Sequence, residues 1–360
     1  MKRIKRYPEK FEVIDIFEAM ARKKGLKLSD PGSHNDFIAA LTKSFHESKD
    51  NPIIIHGRRI ESMFEYIAAS LGKSVLIKRE DSGEICSLDP GIKPPDFRIV
   101  LDDGTDIFVE VKNCHKTDPN YRFPLKRSYA SGIESYAKLF GREVYIAIFW
   151  SRWRKWTLLR LGSFTKSEEC LSISFFEAFK HNEMALLGDT MIGTIPPLAM
   201  RVITDSTKPR HVDESGRVGF TIGGIELYCS SVKIEDKFEQ SLAFYFMLYS
   251  NWVDSEPEAK VQDGDLVYFD FVKKPKEPVP DQEFQILGFL SEMISRNYND
   301  LTASDAGIDR LSPQIDPDAL GILIPQGYKG KQLPLWRFII KAQQTANKAN
   351  SADAKSRAAD

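Results

Sequence analysis

Two β-rich runs, Phe97–Leu101 and Ile107–Lys112, are joined by Asp102-Asp103-Gly104-Thr105. No other stretch constrains the fold as tightly. Val, Ile and Phe favour a pleated surface, and Asp-Gly between two such runs favours a tight reversal. The pair predicts an antiparallel hairpin centred near Asp103. Positions whose numbers sum to about 206 should then face each other across the ladder, which sets Asp96 opposite Glu110, with β-carbons about 5 Å apart. Lys112 lies two residues beyond Glu110, on the same face and about 7 Å along the strand. Phe108 shares that wet face, while Ile107, Val109 and Val111 point the other way into a core. The hairpin thus brings two carboxylates and one amine together.

The neighbouring elements follow from periodicity and stop signals. Residues 11–24 and 34–47 read as helices, separated by Gly25 and the turn residues Asp30, Pro31 and Gly32. Ile60, Met63, Phe64, Ile67 and Leu71 recur at helical spacing up to Gly72. Strands are expected at 75–78, 144–150 and 156–161, with a helix over 128–140 ending at Gly141. Farther on, Arg217–Ser230 reads as a hairpin turning at Gly223-Gly224, and Leu266–Val272 as a strand. Phe284, Leu287, Leu290, Met293 and Ile294 read as a helix. The stretch 341–360, whose only apolar residue is alanine, reads as a disordered tail.

At 360 residues the chain is long enough for about two domains. Net charge is −1, but the charge is segregated. Twelve Lys or Arg stand against three acids from Lys112 to Lys166, and fifteen acids against six bases from Asp254 to Asp318. A basic block interleaved with Tyr and Trp is the electrostatic footprint of a nucleic-acid-facing surface. Within it, Lys126, Arg127, Arg152, Arg154 and Lys155 are the candidate phosphate contacts, although the same residues would also suit a solvated face. The acidic stretch 254–318 would repel DNA, so it is expected to face away from it or to meet a protein partner. No apolar run approaches the about 20 residues that span a bilayer, and the basic Met1–Arg6 segment has no apolar stretch behind it. Four scattered cysteines form no paired spacing, which fits a cytoplasmic location.

Two carboxylates at this separation repel each other unless a cation or a proton lies between them. Hard oxygen ligands suit Mg²⁺, with Mn²⁺ as a substitute, and a neighbouring ammonium can orient an attacking water and balance charge developing on phosphorus. The trio therefore suits hydrolysis of a phosphodiester. Gly72-Lys73-Ser74 ends like a phosphate-binding loop but has Ile67 where that loop needs Gly, so no ATPase is expected.

Pro95-Asp96 followed by Glu110-Val111-Lys112 resembles the PD-(D/E)XK nuclease motif, which restriction endonucleases and archaeal junction resolvases share. The element order over residues 57–149, about a quarter of the chain, matches that family's core as well. The resemblance implies an α/β fold with a restriction-endonuclease-like αβββαβ core, its mixed sheet flanked by helices, at 50–162. Residues 1–49 would form a helical segment packed on that core, and 163–340 a second α+β region selecting substrate or partner. It further implies that Asp96, Glu110 and the Val111 carbonyl are metal ligands and that Lys112 orients water. An acid on the first core helix would complete the set. Glu61, at the edge of the apolar stripe, is favoured over Glu65. One departure is Gly132, four residues before Tyr136, where the exonuclease branch often carries Gln. The expected activity is a Mg²⁺-dependent deoxyribonuclease, first of restriction or anti-invader (defence) type and secondly a repair or junction-resolving nuclease. A catalytically silent nucleic-acid-binding protein with the same fold is the rival from another class. Cutting both strands of a duplex would call for a homodimer, since each chain offers one site.

Overall fold

The structure is a computed structural model that describes residues 1–4, 8–83 and 85–342 of the chain. The expected tail therefore lies outside the described residues beyond position 342. The N-terminal part is three helices, α1 (Pro8–Lys24), α2 (Pro31–Lys49) and α3 (Pro52–Ser70). Asn51 caps α3 by accepting hydrogen bonds from the Ile53 and Ile54 amides, at 3.0 and 3.4 Å, and Pro52 opens the helix. Gly72, with a φ of 91°, follows its end and turns the chain into the first strand.

There follow β1 (Ser74–Arg79), β2 (Phe97–Leu101), β3 (Asp106–Cys114), β4 (Phe123–Lys126), α4 (Arg127–Leu139), β5 (Glu143–Trp150) and β6 (Lys155–Arg160). Five of these strands form one mixed sheet in the order β1-β2-β3-β5-β6. β3 and β5 run parallel and the other neighbours antiparallel. The stretch carrying β4 and α4 is the crossover that a parallel pair requires.

Both faces of this sheet are buried. Ile60, Met63, Phe64 and Ile67 of α3 pack with Phe97, Ile99, Ile107, Val109 and Val111 on one face. Ala130, Ile133 and Ala137 of α4 pack with Phe108, Val144, Ile146 and Ile148 on the other. The face of Phe108 and Glu110, which strand alternation alone leaves to water, is thus covered by α4.

Beyond β6 the chain adds α5 (Phe175–Lys180), α6 (Lys237–Tyr249) and α7 (Leu290–Thr302), which makes seven α-helices among the described residues. It also adds further sheets, the largest built on strands 198–204, 222–229 and 265–274. The apolar cluster under α3 continues without a break into α6 and α7 through Phe246, Met293, Ile294 and Tyr298.

Two expectations fail in this half. The chain does not turn at Gly223-Gly224. One strand, Ile222–Cys229, runs through both glycines and reverses after Cys229, where Ser230 has a φ of 54°. Gly223 is the extra residue of a bulge opposite Ile203 and Thr204, and a Cβ there would lie 3.0 Å from the Asp205 backbone. Gly223 serves close approach rather than reversal. The helix expected to include Phe284 and Leu287 begins only at Leu290, because Gln285–Phe289 is a strand paired with Met191–Thr194. Gly288, with a φ of 133°, cannot continue a helix. No helix among the described residues is long and apolar enough to cross a membrane.

Candidate active site

The β2–β3 ladder pairs Phe97 with Val109, Arg98 with Phe108 and Ile99 with Ile107. This is the register expected from the turn. Pairing stops there, so Asp96 and residues 110–112 lie just past the end of β2. Across that gap the Val111 amide donates to Asp96 Oδ2 at 2.7 Å. In an extended strand the N–H and C=O of one residue point to the same edge, so the Val111 carbonyl faces the Asp96 side too. Glu110 is 1% exposed. Its Oε1 accepts from the Tyr129 hydroxyl at 2.6 Å and pairs with the Lys112 ammonium, while its Oε2 has no hydrogen-bond partner among the described residues. Lys112 Nζ and Lys93 Nζ lie 4.9 and 5.0 Å from the centroid of the Tyr129 ring.

From the other face, α3 supplies Glu61. One carboxylate oxygen each from Glu61, Asp81 and Asp96 lies within 4.8 Å of the others. Arg58 Nη1 donates to Glu61 at 2.8 Å and to Asp81 at 2.9 Å, and Arg79 Nη1 stands 3.6 Å from Glu61. Glu65 turns away to pair with Arg79 at 2.9 Å. Of the two helix acids, Glu61 is the one brought to Asp96. The group therefore straddles the end of the sheet, with α3 contributing on one side and α4 on the other.

Burial pushes the Asp96 carboxyl up to about 7, and the neighbouring Glu110 charge adds to the rise against the pull of the Val111 amide and Lys112. The Tyr129 hydroxyl is also raised, by burial and by the charge of Glu110, so it stays protonated and remains a donor. A divalent cation answers both features. It would stabilise the ionised Asp96 and give the buried Glu110 Oε2 the partner it lacks. The all-oxygen donor set fits Mg²⁺ or Mn²⁺.

The basic residues divide. Lys126 and Arg127 are exposed at the entry of α4, the helix whose first turn carries Tyr129. The β3–β5 register sets Trp150 beside Cys114, so the exposed Arg152 and Arg154 leave the sheet at the same end as Lys112. Lys155 is different, since its ammonium is committed to an ion pair with Glu292 and lies 5.0 Å from the Phe289 ring centroid. Trp150 is buried, and Trp153 packs on Phe175 with ring centroids 4.4 Å apart. Neither indole forms an open stacking platform.

Sequence reasoning missed Asp81, Tyr129 and Lys93. Glu80-Asp81-Ser82-Gly83 carries only a turn signal, and Tyr129 reads as one more apolar mark on α4. Gly132 has a clear purpose. A Cβ there would meet the Gly91 carbonyl at 2.6 Å, and the Gly132 carbonyl accepts from the Lys93 amide at 3.1 Å. A residue as long as Gln would drive the 91–95 loop, and Asp96 with it, off α4.

No family model and no curated protein matches the chain. Among solved structures the chain is similar to a Holliday junction resolvase, Hjc, from the archaeal hyperthermophile Archaeoglobus fulgidus. The likeness covers 31% of this chain and 84% of that one at 19% sequence identity, with a TM-score of 0.24. At that score it bears on neither fold nor activity.

Proposed function

We propose that this chain is a metal-dependent nuclease of the PD-(D/E)XK, restriction-endonuclease-like kind, hydrolysing DNA phosphodiester bonds. The observation that carries the reading is the pairing at the end of the hairpin. The Val111 amide holds Asp96 beside Glu110, and Glu110 keeps one buried oxygen without a partner among the described residues. The order helix, three antiparallel strands, helix and parallel strand supports the same reading.

Asp96, Glu110, Glu61 and the Val111 carbonyl are the groups that would hold a divalent cation. When bound, Mg²⁺ or Mn²⁺ supplies Lewis acidity toward a phosphoryl oxygen and toward the attacking water. Lys112 orients that water and balances the charge that develops on phosphorus. Tyr129 holds Glu110 in place. Lys126, Arg127, Arg152 and Arg154 grip the phosphate backbone on either side of the acids. Residues 163–340 select the target, as suits a restriction or anti-invader endonuclease. Cleavage of both strands calls for two copies of the chain, each with one site.

The test is incubation of the purified protein with supercoiled plasmid, linear duplex and a four-way junction in Mg²⁺, beside Asp96→Ala and Lys112→Ala. The wild type should cut, and each variant should lose about a hundredfold or more in rate. Equal cutting by all three would assign the activity to a contaminant. Preference for the junction over plasmid would favour a resolving role over a defensive one.

A further inference from the structure

The two-strand site leaves one acid and one base without a role, Asp81 and Arg58. Asp81 follows β1 in sequence and belongs to no motif, yet its carboxylate lies within 4.8 Å of those of Glu61 and Asp96. Two of these three carboxylates are bridged by a cation already present. The Arg58 guanidinium bridges Glu61 and Asp81 through one nitrogen, at 2.8 and 2.9 Å. The bridge lies near the surface, with the Arg58 side chain 48% exposed and those of Glu61 and Asp81 18% and 22% exposed. A long side chain with that exposure has room to swing into solvent once another cation neutralises the two acids. Asp96, by contrast, is buried and anchored by an amide.

The acids alone would not identify a site. The second observation is Glu110 Oε2, a buried atom with no hydrogen-bond partner among the described residues, one position before the amide that holds Asp96. Asp96 thus feels both the Glu110 carboxylate, which has an open buried oxygen, and the Glu61 carboxylate, which Arg58 bridges to Asp81. The three carboxylates offer the all-oxygen donor set that a hard divalent cation takes.

We propose that Asp81 is a divalent-cation ligand, and that Arg58 is the counter-ion which the incoming cation displaces from Asp81 and Glu61. This rests on the nuclease reading above and deepens it, because the free chain would keep its acids neutralised by Arg58 until cation arrives. The displaced guanidinium then becomes available to a phosphate at the same site.

Two measurements on the full-length protein test this. The first follows the Arg58 side-chain nitrogen resonances during a Mg²⁺ titration. They should shift, while those of Arg98, paired bidentately with Asp106 at 3.0 and 2.7 Å, should stay. The second is calorimetric titration with Mn²⁺ of wild type, Asp81→Asn and Arg58→Gln. Asp81→Asn should weaken binding about tenfold, and Arg58→Gln should strengthen it. If Asp81 were only a structural partner of Arg58, its removal would not weaken binding. Unchanged affinity in Asp81→Asn with unmoved Arg58 resonances overturns the inference and leaves the nuclease reading intact. A wild type that takes up no Mn²⁺ overturns both. Should Asp81→Asn fail to fold, the resonance measurement on the wild type decides alone.

Discussion

The hydroxyl of Tyr129 and the ammonium of Lys112 converge on one oxygen of a carboxylate that has almost no access to water. Hydrogen bonds to a charged group contribute about 1.5–3 kcal/mol, so Tyr129→Phe should slow single-turnover cleavage roughly tenfold to a hundredfold without unfolding the protein. Rates and thermal melts measured together would check this, and an unchanged rate would remove Tyr129 from the site. Far from the acids, Asp189 accepts from the Ser291 amide at 3.0 Å and its hydroxyl at 2.6 Å, in the first turn of α7. Burial nevertheless pushes its carboxyl up to about 7, against about 3.9 in an unfolded chain. Between those values the folded protein holds a proton that the unfolded chain has released. Stability therefore falls as pH rises from about 4 to about 7, and the loss is complete above that. Asp189→Asn should flatten this part of the slope, and urea unfolding of both proteins at several pH values would show it. Neither Tyr129 nor Asp189 can be picked out by residue spacing, because each acts through a partner distant in the chain.

At the scale of elements, the hairpin and α3 were legible because their signals are local. Alternation of period two with Asp-Gly at the turn defines β2 and β3, and the buried stripe of α3 has the helical period. The second half of the chain misled where glycine has more than one use. Gly223 marks a bulge, and Gly288 separates a strand from a helix whose joined apolar positions mimic one long helical stripe. Gly132 and Gly57 make a matched test on two helices. Gly132→Ala brings a Cβ to 2.6 Å from the Gly91 carbonyl, whereas a Cβ at Gly57 meets nothing within 4 Å. The first should destabilise by about 1–3 kcal/mol and reduce cleavage by shifting the loop that ends in Asp96. The second should stabilise by up to about 1 kcal/mol through helix propensity alone. Thermal melts of both variants would check the opposite signs.

Across the whole molecule, the sheet that carries the site shares its core with residues more than 150 positions away. Phe64 and Ile67 belong to one cluster with Met293, Ile294 and Leu320, and Tyr66 donates to the Pro313 carbonyl at 2.9 Å. Lys155 pairs with Glu292, and Trp156 Nε1 donates to Ser295 Oγ at 3.1 Å. Residues 50–162 expressed alone would expose this apolar surface, so the fragment should lack a cooperative melt and bind a hydrophobic dye. A sharp transition would show that the site's sheet is independent of the rest. The sequence by itself determined the hairpin, its register and the neighbourhood of Asp96, Glu110 and Lys112, because strand alternation and turn chemistry act over a few residues. Only the tertiary structure decided that Asp81 joins Glu61, that Tyr129 holds Glu110, and that Lys155 is taken by Glu292. Those contacts depend on how packed elements bring distant parts of the chain together, and local periodicity carries no record of that.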